Sequence, residues 1–253
     1  MISIDLNCDL GEGVVSDEVE LALLDCVTSA NIACGGHAGD AATIRRLAIA
    51  CVARGVAIGA HPSYPDRASF GRDSLGTRPT EIGAAVLSQL RVFAAAIRDT
   101  PGARITHIKP HGALYHDAMN NQAVAIAIQE AAKAVFPDAV LMGQAGAPGL
   151  EHWRSAGAPV VSEAFADRRY EPDGSLRSRK LEGALLESVA EVAAQALSIA
   201  RDCKVCLADG SFLKVVAETI CLHSDTPGAA EFAREVRREL LENGIAVRGL
   251  KRD

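Results

Sequence analysis

Four histidines in this chain stand at or just past the ends of strand-like segments. His37 follows SANIACGG, His61 follows VAIGA, His111 follows ITHIKP and His223 follows ETICL. A fifth such segment, ISIDLNCD, opens the chain and carries Asp5, Asn7 and Asp9. Imidazole changes charge near neutral pH and serves as acid, base or metal ligand, and a nearby carboxylate orients it or shares its proton. Side chains alternate faces along a strand. Asp5, Asn7 and Asp9 therefore share one face of the first strand, opposite Ile4, Leu6 and Cys8. The same parity groups Ile105, His107, Lys109 and His111. It also pairs Glu163 with Asp167, and it sets Thr219, Cys221, His223 and Asp225 opposite Ile220 and Leu222. A carboxylate facing a closed interior costs several kcal/mol, on the order of 3 or more, unless it is paired, hydrogen-bonded or metal-bound. Ionisable groups converging from several strands thus mark a site.

Local motifs refine this picture. CGGHAGD, Cys34–Asp40, surrounds His37 with Gly35, Gly36 and Gly39 at a strand-to-helix turn. Glycines there let backbone N–H groups approach a ligand or developing oxyanion, and Asp40 is placed to cap the next helix. A tight turn with a structural histidine is the simpler alternative. GAHPSYPDRASFGR adds Arg72, a candidate anion clamp, on a long rim loop. KPHGALYH joins Lys109 and His111 to Tyr115, and EAFADRRY holds Glu163, Asp167, Arg168 and Tyr170. His107, His116 and His152 read as packing, loop and surface residues. There is no G-x-x-x-x-G-K-[ST] loop, G-x-G-x-x-G turn or G-x-S-x-G elbow, so any nucleotide is held without a standard motif.

Elements that deliver side chains to one end in this way are parallel strands alternating with helices. Helical patterns fall around EVELALLD, Ala41–Ala53, Ile82–Ile97, Gln122–Val135, Leu150–Ser155, Gly183–Ala200 and Ala229–Leu241. The alternation predicts βαβ units and a parallel sheet. About seven barrel-type strands favour an irregular seven-stranded β/α barrel, whose catalytic groups come from the C-terminal ends of its strands. A doubly wound open sheet is the second choice. KVCLADGSFLKVVAE reads as a small β-hairpin insertion near residues 204–217, turning at Asp209-Gly210, and IAVRGL as a final edge strand. No linker or repeat interrupts the chain, so residues 1–253 are expected to form a single barrel domain.

Composition narrows the classes. The 253 residues are 49% hydrophobic, enough for a large core, and the net charge of −6 argues against nucleic acid as a partner. No apolar run approaches the roughly 20 residues of a membrane span. The opening MISIDLNCDL lacks a basic leader region, and seven cysteines in apolar context fit reduced thiols. The expectation is a cytoplasmic protein. Cys203-Lys-Val-Cys206 has no second pair, which argues against a zinc or redox role.

DLNCDLGE, NIACGGHAGD, GAHPSYPD with FGR, KPHGALY, EAFADRRY and TICLHSDTP, in that order, resemble the LamB/YcsF family, which forms the A subunit of bacterial 5-oxoprolinase. The resemblance implies a barrel similar to that of carbohydrate deacetylases. It implies ATP-dependent opening of 5-oxoproline to L-glutamate, with ATP and Mg²⁺ as co-substrate and subunits B and C as partners. The residues that parity singles out lie within these motifs. Asp9, His61, Lys109, His111 and His223 are then the expected catalytic groups. Asn7, Glu12, Gly36, His37, Arg72, Glu163, Asp167, Arg168, Tyr170 and Asp225 are the expected substrate-binding ones. The chain departs from the family pattern at the rim: a short segment after Glu12, Gly36 in place of an aromatic, Asp73 after Arg72, Ser224, and RSRKLEG. A metal-dependent amidohydrolase or deacetylase, with Asp9, His37, His61 or His111 as ligands, is the alternative. A scaffold without chemistry of its own is a further one, disfavoured by so many inward ionisable groups.

Overall fold

The computed structural model describes residues 2–224 and 228–250. The strands are β1 (Ser3–Leu10), β2 (Ser29–Ala33), β3 (Ala57–His61), β4 (Ile105–Ile108), β5 (Val140–Gln144), β6 (Val160–Phe165), β7 (Lys204–Cys206), β8 (Phe212–Lys214), β9 (Thr219–Leu222) and β10 (Ala246–Val247). The helices are α1 (Asp17–Leu24), α2 (Ala41–Arg54), α3 (Pro79–Ile97), α4 (Gly112–Asn120), α5 (Gln122–Val135), α6 (Pro148–Ser155), α7 (Val189–Asp202) and α8 (Ala229–Glu242).

Strands β1 to β6 pair in sequence order, β9 follows β6, and β9 pairs back onto β1 with Asp5–Cys8 beside Thr219–Leu222. All these pairings are parallel, so seven strands close a barrel and the open-sheet alternative is excluded. β10 runs parallel to β1 at Ser3–Ile4, before β2 begins to pair at Asn7. β7 and β8 form an antiparallel hairpin outside the barrel, with Leu207–Ser211 between them.

The outward faces of the strands pack on helices. Leu6, Cys8, Ile32, Ala60, Ile108, Leu141 and Ile220 are buried with Leu47, Leu90, Phe93 and Trp153 in one continuous core. Truncating a ring such as Phe93, fully buried on α3, should cost about 3–5 kcal/mol. At 19 residues, α3 is long and apolar enough to cross a bilayer, although polar residues interrupt its apolar runs. Here it is an outer helix of the barrel, burying Ile82, Val86, Leu90 and Phe93 and packing on α2 and α5.

Three helices differ from the sequence expectation. α3 starts at Pro79, where a proline at the first helical position leaves no intrahelical donor unmet. α4 has no counterpart among the expected helices; it begins directly after His111, with Gly112 in the left-handed region at φ 55°. α7 starts at Val189 and not Gly183, because Ser188 caps it: its side chain accepts from the Glu191 N–H and its hydroxyl donates to the Glu191 carboxylate. All seven cysteines are free thiols.

Candidate active site

The barrel lumen is polar in two layers. The lower one is closed. Asp5 Oδ1 accepts from the Thr28 and Ser29 hydroxyls, both at 2.7 Å, and Oδ2 accepts from the Thr219 hydroxyl at 2.5 Å. Asn7 Nδ2 donates to Thr219 Oγ1 (2.8 Å) and Glu163 Oε1 (3.0 Å). Asn31 Nδ2 donates to Asn7 Oδ1 and Asp9 Oδ1, each at 2.8 Å, while its Oδ1 lies 2.7 Å from His107 Nε2. His107 occupies space left by Gly59, where a Cβ would stand 2.1 Å from Nε2. Burial pushes the Asp5 pKa up to about 6, against its three hydroxyl donors. Burial, reinforced by the Lys109 charge, pushes that of His107 down to about 3. Both are effects of withholding water from the charged form.

Lys109 links this layer to the one above. Its ammonium donates to Glu163 Oε1 (2.9 Å), Asp9 Oδ1 (3.1 Å) and Cys221 Sγ (3.1 Å). Burial opposes its charge, but Asp9, Cys221 and Glu163 outweigh that and hold its pKa well above the ordinary value. Asp9 is the reciprocal case. Burial alone would raise it, yet His61 and Lys109 keep it well below the usual carboxylate range. Tyr115 donates to the second Glu163 oxygen at 2.8 Å.

The upper layer brings together Asp9, Glu12, His37, His61 and His111. His61 Nδ1 lies 2.7 Å from the Lys109 carbonyl oxygen, and His111 Nε2 lies 3.0 Å from that of Phe70. The remaining nitrogens, His61 Nε2 and His111 Nδ1, are 3.0 Å apart. Asp9 Oδ2 is 3.4 Å from the first and Glu12 Oε1 is 3.1 Å from the second. His37 stacks on His111 at 3.6 Å between ring centroids and donates from Nε2 to Glu12 at 2.9 Å. Burial pushes His37 down to about 4. Burial would raise Glu12, but His111 and His37 beside it hold it far below its ordinary value. Phe70 has φ 57°, a region a bulky side chain rarely enters, and this conformation aims its carbonyl at His111. The loop bearing it is tied to α4 by Ala113 N–H donating to Gly71 O at 2.9 Å.

Above this layer opens a cavity of about 450 Å³, lined by Asp9, Glu12, His61, Lys109, His111 and His223 together with Arg72, Arg168, Arg179 and Lys180. His223 Nδ1 donates to Asp167 at 2.8 Å and its ring stacks on Phe165 at 5.6 Å. Burial works against the Asp167 charge, but His223 and then Arg168 lower its pKa. Arg168 is 5% exposed; its Nη2 donates to Arg177 O at 2.6 Å and its Nε has no protein partner among the described residues. Burial and the adjacent Arg179 charge lower its pKa. Several cations in the lining of one cavity fit an anionic group on a ligand.

Several residues expected to bind substrate stand elsewhere. Asn7 and Glu163 are buried below the cavity and hold Lys109. His37 lies behind Glu12 and faces a second cavity of about 390 Å³, with Ala38, Gly39, Asp40 and Arg67. Gly36 packs where a Cβ would meet Ser63 Oγ at 2.4 Å, and Arg67 donates to the carbonyls of Gly35 and Gly39. The glycine turn therefore offers no anion hole to the main cavity. Asp40 does cap α2, accepting from Thr43 N–H at 2.8 Å. Asp167 orients His223 and does not itself line the main cavity. Tyr170 is 1% exposed and its hydroxyl accepts from Phe165 N–H, which makes it a prop for β6. Arg168 has one arm of its fork committed to Arg177, which leaves less than a full bidentate clamp. Asp225 lies outside the described residues.

Asn31, Ser29 and Thr28 are the lumen residues that sequence reasoning missed. Alternation along SANIA carried the signal, since Ser29 and Asn31 fall on the face opposite Ala30 and Ile32.

A family described as the LamB/YcsF family matches residues 4–253. The chain belongs to that family. It is 46% identical to the A subunit of 5-oxoprolinase from Chloroflexus aggregans, over 98% of this chain and 99% of that protein. It is 44% identical to a 5-oxoprolinase A subunit from Agrobacterium fabrum, over the full length of both. Among solved structures, a lactam utilization protein from Thermus thermophilus superposes with a TM-score of 0.90 at 38% identity, covering 98% of this chain and 100% of that one. A family 4 carbohydrate esterase from Streptomyces lividans shares the fold, with a TM-score of 0.52 at 12% identity over 97% and 91% of the two chains.

Proposed function

We propose that this family member is the lactam-opening subunit of an ATP-dependent 5-oxoprolinase, acting with partner subunits B and C to convert 5-oxoproline to L-glutamate. One observation carries the reading beyond the names of its relatives. A single cavity is lined both by the acid–base cluster of Asp9, Glu12, His61 and His111 and by the cations Arg168, Arg179 and Lys180. A small cyclic amide bearing a carboxylate, activated by phosphate, needs both.

A five-membered lactam is a weak electrophile, and phosphorylation of its amide oxygen by ATP with Mg²⁺ makes its ring carbon reactive. Water then adds to that carbon, giving up a proton to the Asp9–His61–His111 cluster. The ring C–N bond breaks as His223, steered by Asp167, protonates the nitrogen. A second water releases phosphate from the resulting acyl phosphate and leaves glutamate. Lys109, held between Asp9 and Glu163, supplies fixed positive charge beside the developing oxyanion. Arg168 and Arg72 face the carboxylate or phosphate.

The test is release of glutamate and ADP from 5-oxoproline, ATP and Mg²⁺ by this chain with its cognate B and C subunits, each omitted in turn. Glutamate only from the full set supports the reading. A complete, folded set that forms none sinks it. Turnover of a small amide by this chain alone, without ATP, would favour the amidohydrolase alternative.

A further inference from the structure

We propose that Asp9, His61 and His111, with Glu12 beside them, hold one divalent transition-metal ion of the zinc, cobalt or manganese class. A carbonyl oxygen only accepts, so the close contacts to Lys109 O and Phe70 O put a proton on His61 Nδ1 and one on His111 Nε2. In neutral rings His61 Nε2 and His111 Nδ1 are then bare lone pairs. They nevertheless face each other at 3.0 Å, with carboxylate oxygens of Asp9 and Glu12 at 3.4 and 3.1 Å. Four electron-rich atoms converge with no proton assigned among them, and a cation is what such an arrangement lacks.

The spacing suits an ion. Nitrogen and oxygen ligands about 2.0–2.2 Å from one centre, at angles of 90–110°, lie roughly 2.8–3.6 Å apart. The three neighbouring contacts fall in that range. The wider His61 Nε2–Glu12 Oε1 pair, at 4.0 Å, fits ligands set at a larger angle. The ligand atoms of Asp9, His61 and His111 all lie within 4.8 Å of one another. Each ring donates its other N–H to a main-chain carbonyl, the outer support that fixes the tautomer of a metal-bound histidine. Phe70 adopts its unusual backbone conformation to give one of those carbonyls. All four residues line the main cavity, so a position toward substrate stays open.

Two imidazoles with carboxylates select borderline ions over Mg²⁺ or Ca²⁺, which take oxygen ligands. His37 shares a second candidate set with Glu12 and His111, but its Nε2 is already committed to Glu12, which makes it an outer support. Cys221, in a third set with Asp9 and His223, is engaged by Lys109. A divalent ion here supplies Lewis acidity toward water and toward a carbonyl oxygen. The binding site is read without substrate and stands whether or not the lactam reading does.

The experiment uses the full chain purified without chelator or affinity-column metal. Metal content is measured by mass spectrometry, and chelator-stripped protein is titrated with Zn²⁺ and with Co²⁺ by calorimetry and visible absorption. We expect about one ion per chain and a Co²⁺ spectrum that saturates at one equivalent. His61→Ala and Asp9→Asn should weaken binding at least ~100-fold, the scale of losing a direct ligand as against the ~10–100-fold of an outer one. His152→Ala, a histidine on α6 paired with Gln122 away from the cavity, should bind like the parent. Folded parent protein that binds neither ion at micromolar concentration overturns the proposal. Binding unchanged in both His61→Ala and Asp9→Asn does the same, as does a proton NMR signal showing that the two rings share a proton in protein competent to bind metal elsewhere.

Discussion

The two layers of the lumen are built from the same residue types and behave oppositely. Around Asp5, Asn7, Asn31 and His107, the side-chain donors and acceptors meet inside the barrel in a closed network. One layer higher, around His61 and His111, lone pairs face each other and the cavity. A saturated network has one low-energy arrangement and resists change. An unsaturated one has capacity left for a proton, an ion or a reacting atom. The lower layer thus sets the position of Asp9 and Lys109, and the upper layer uses it.

Replacing an upper-layer group should abolish chemistry and spare the fold. His111→Ala is expected to lower glutamate formation by about 10²–10⁴-fold with an unfolding midpoint near that of the parent. Activity within a few-fold of the parent would remove His111 from the reaction.

The lower layer should answer in stability. Asp5 has a pKa of about 6 against an ordinary 3.8, so the folded state keeps its proton to higher pH. Its favourable contribution is complete below pH 4 and is lost as pH rises through 6. By linkage the loss approaches about 3 kcal/mol. Denaturant unfolding of the parent and Asp5→Asn, compared from pH 4 to pH 8, should show the parent losing ground to the variant by about that amount. A constant difference across this range would mean that Asp5 is already ionised at its lower end.

Asn31→Ala crosses the boundary. It strips partners from Asn7, Asp9 and His107 together, and should cost about 2 kcal/mol of stability. It should also shift the pH profile of kcat, because Asp9 loses one donor to its Oδ1. Lost stability with an unmoved profile would confine Asn31 to the lower layer. At the other extreme, Arg238 forms exposed pairs with Glu235 and Glu242 on α8. Arg238→Ala should change neither midpoint nor rate beyond error, since solvent already screens those charges.

The lower layer was the more legible in sequence, because strand parity holds wherever a strand continues. Asp5, Asn7, Lys109, Thr219 and Cys221 could be placed inside by counting in twos. Ser29 and Asn31 alternate with Ala30 and Ile32, but a strand of five residues shows only those two polar positions, too few to stand out. Parity stops at a strand end. Gly36 and Tyr170 therefore read as substrate contacts in sequence, although one packs on Ser63 and Gln89 and the other props β6. Glu12 and His37 meet only because the turn after β2 folds back, and no spacing in the chain encodes that. The capping pair Ser188 and Glu191 was visible and would have set the start of α7 correctly.

Barrel closure has a consequence for synthesis. β1 leaves the ribosome well before its partner β9, the Thr219–Asp5 bond spanning 214 positions. Until then Asp5, Asn7 and Asp9 sit on an open sheet edge in water. Contacts of such long sequence separation form slowly, and an unfinished sheet can pair with the wrong strand. The site should form only once β9 has emerged, all at once, and truncation before β9 should yield an aggregation-prone sheet with no partial activity.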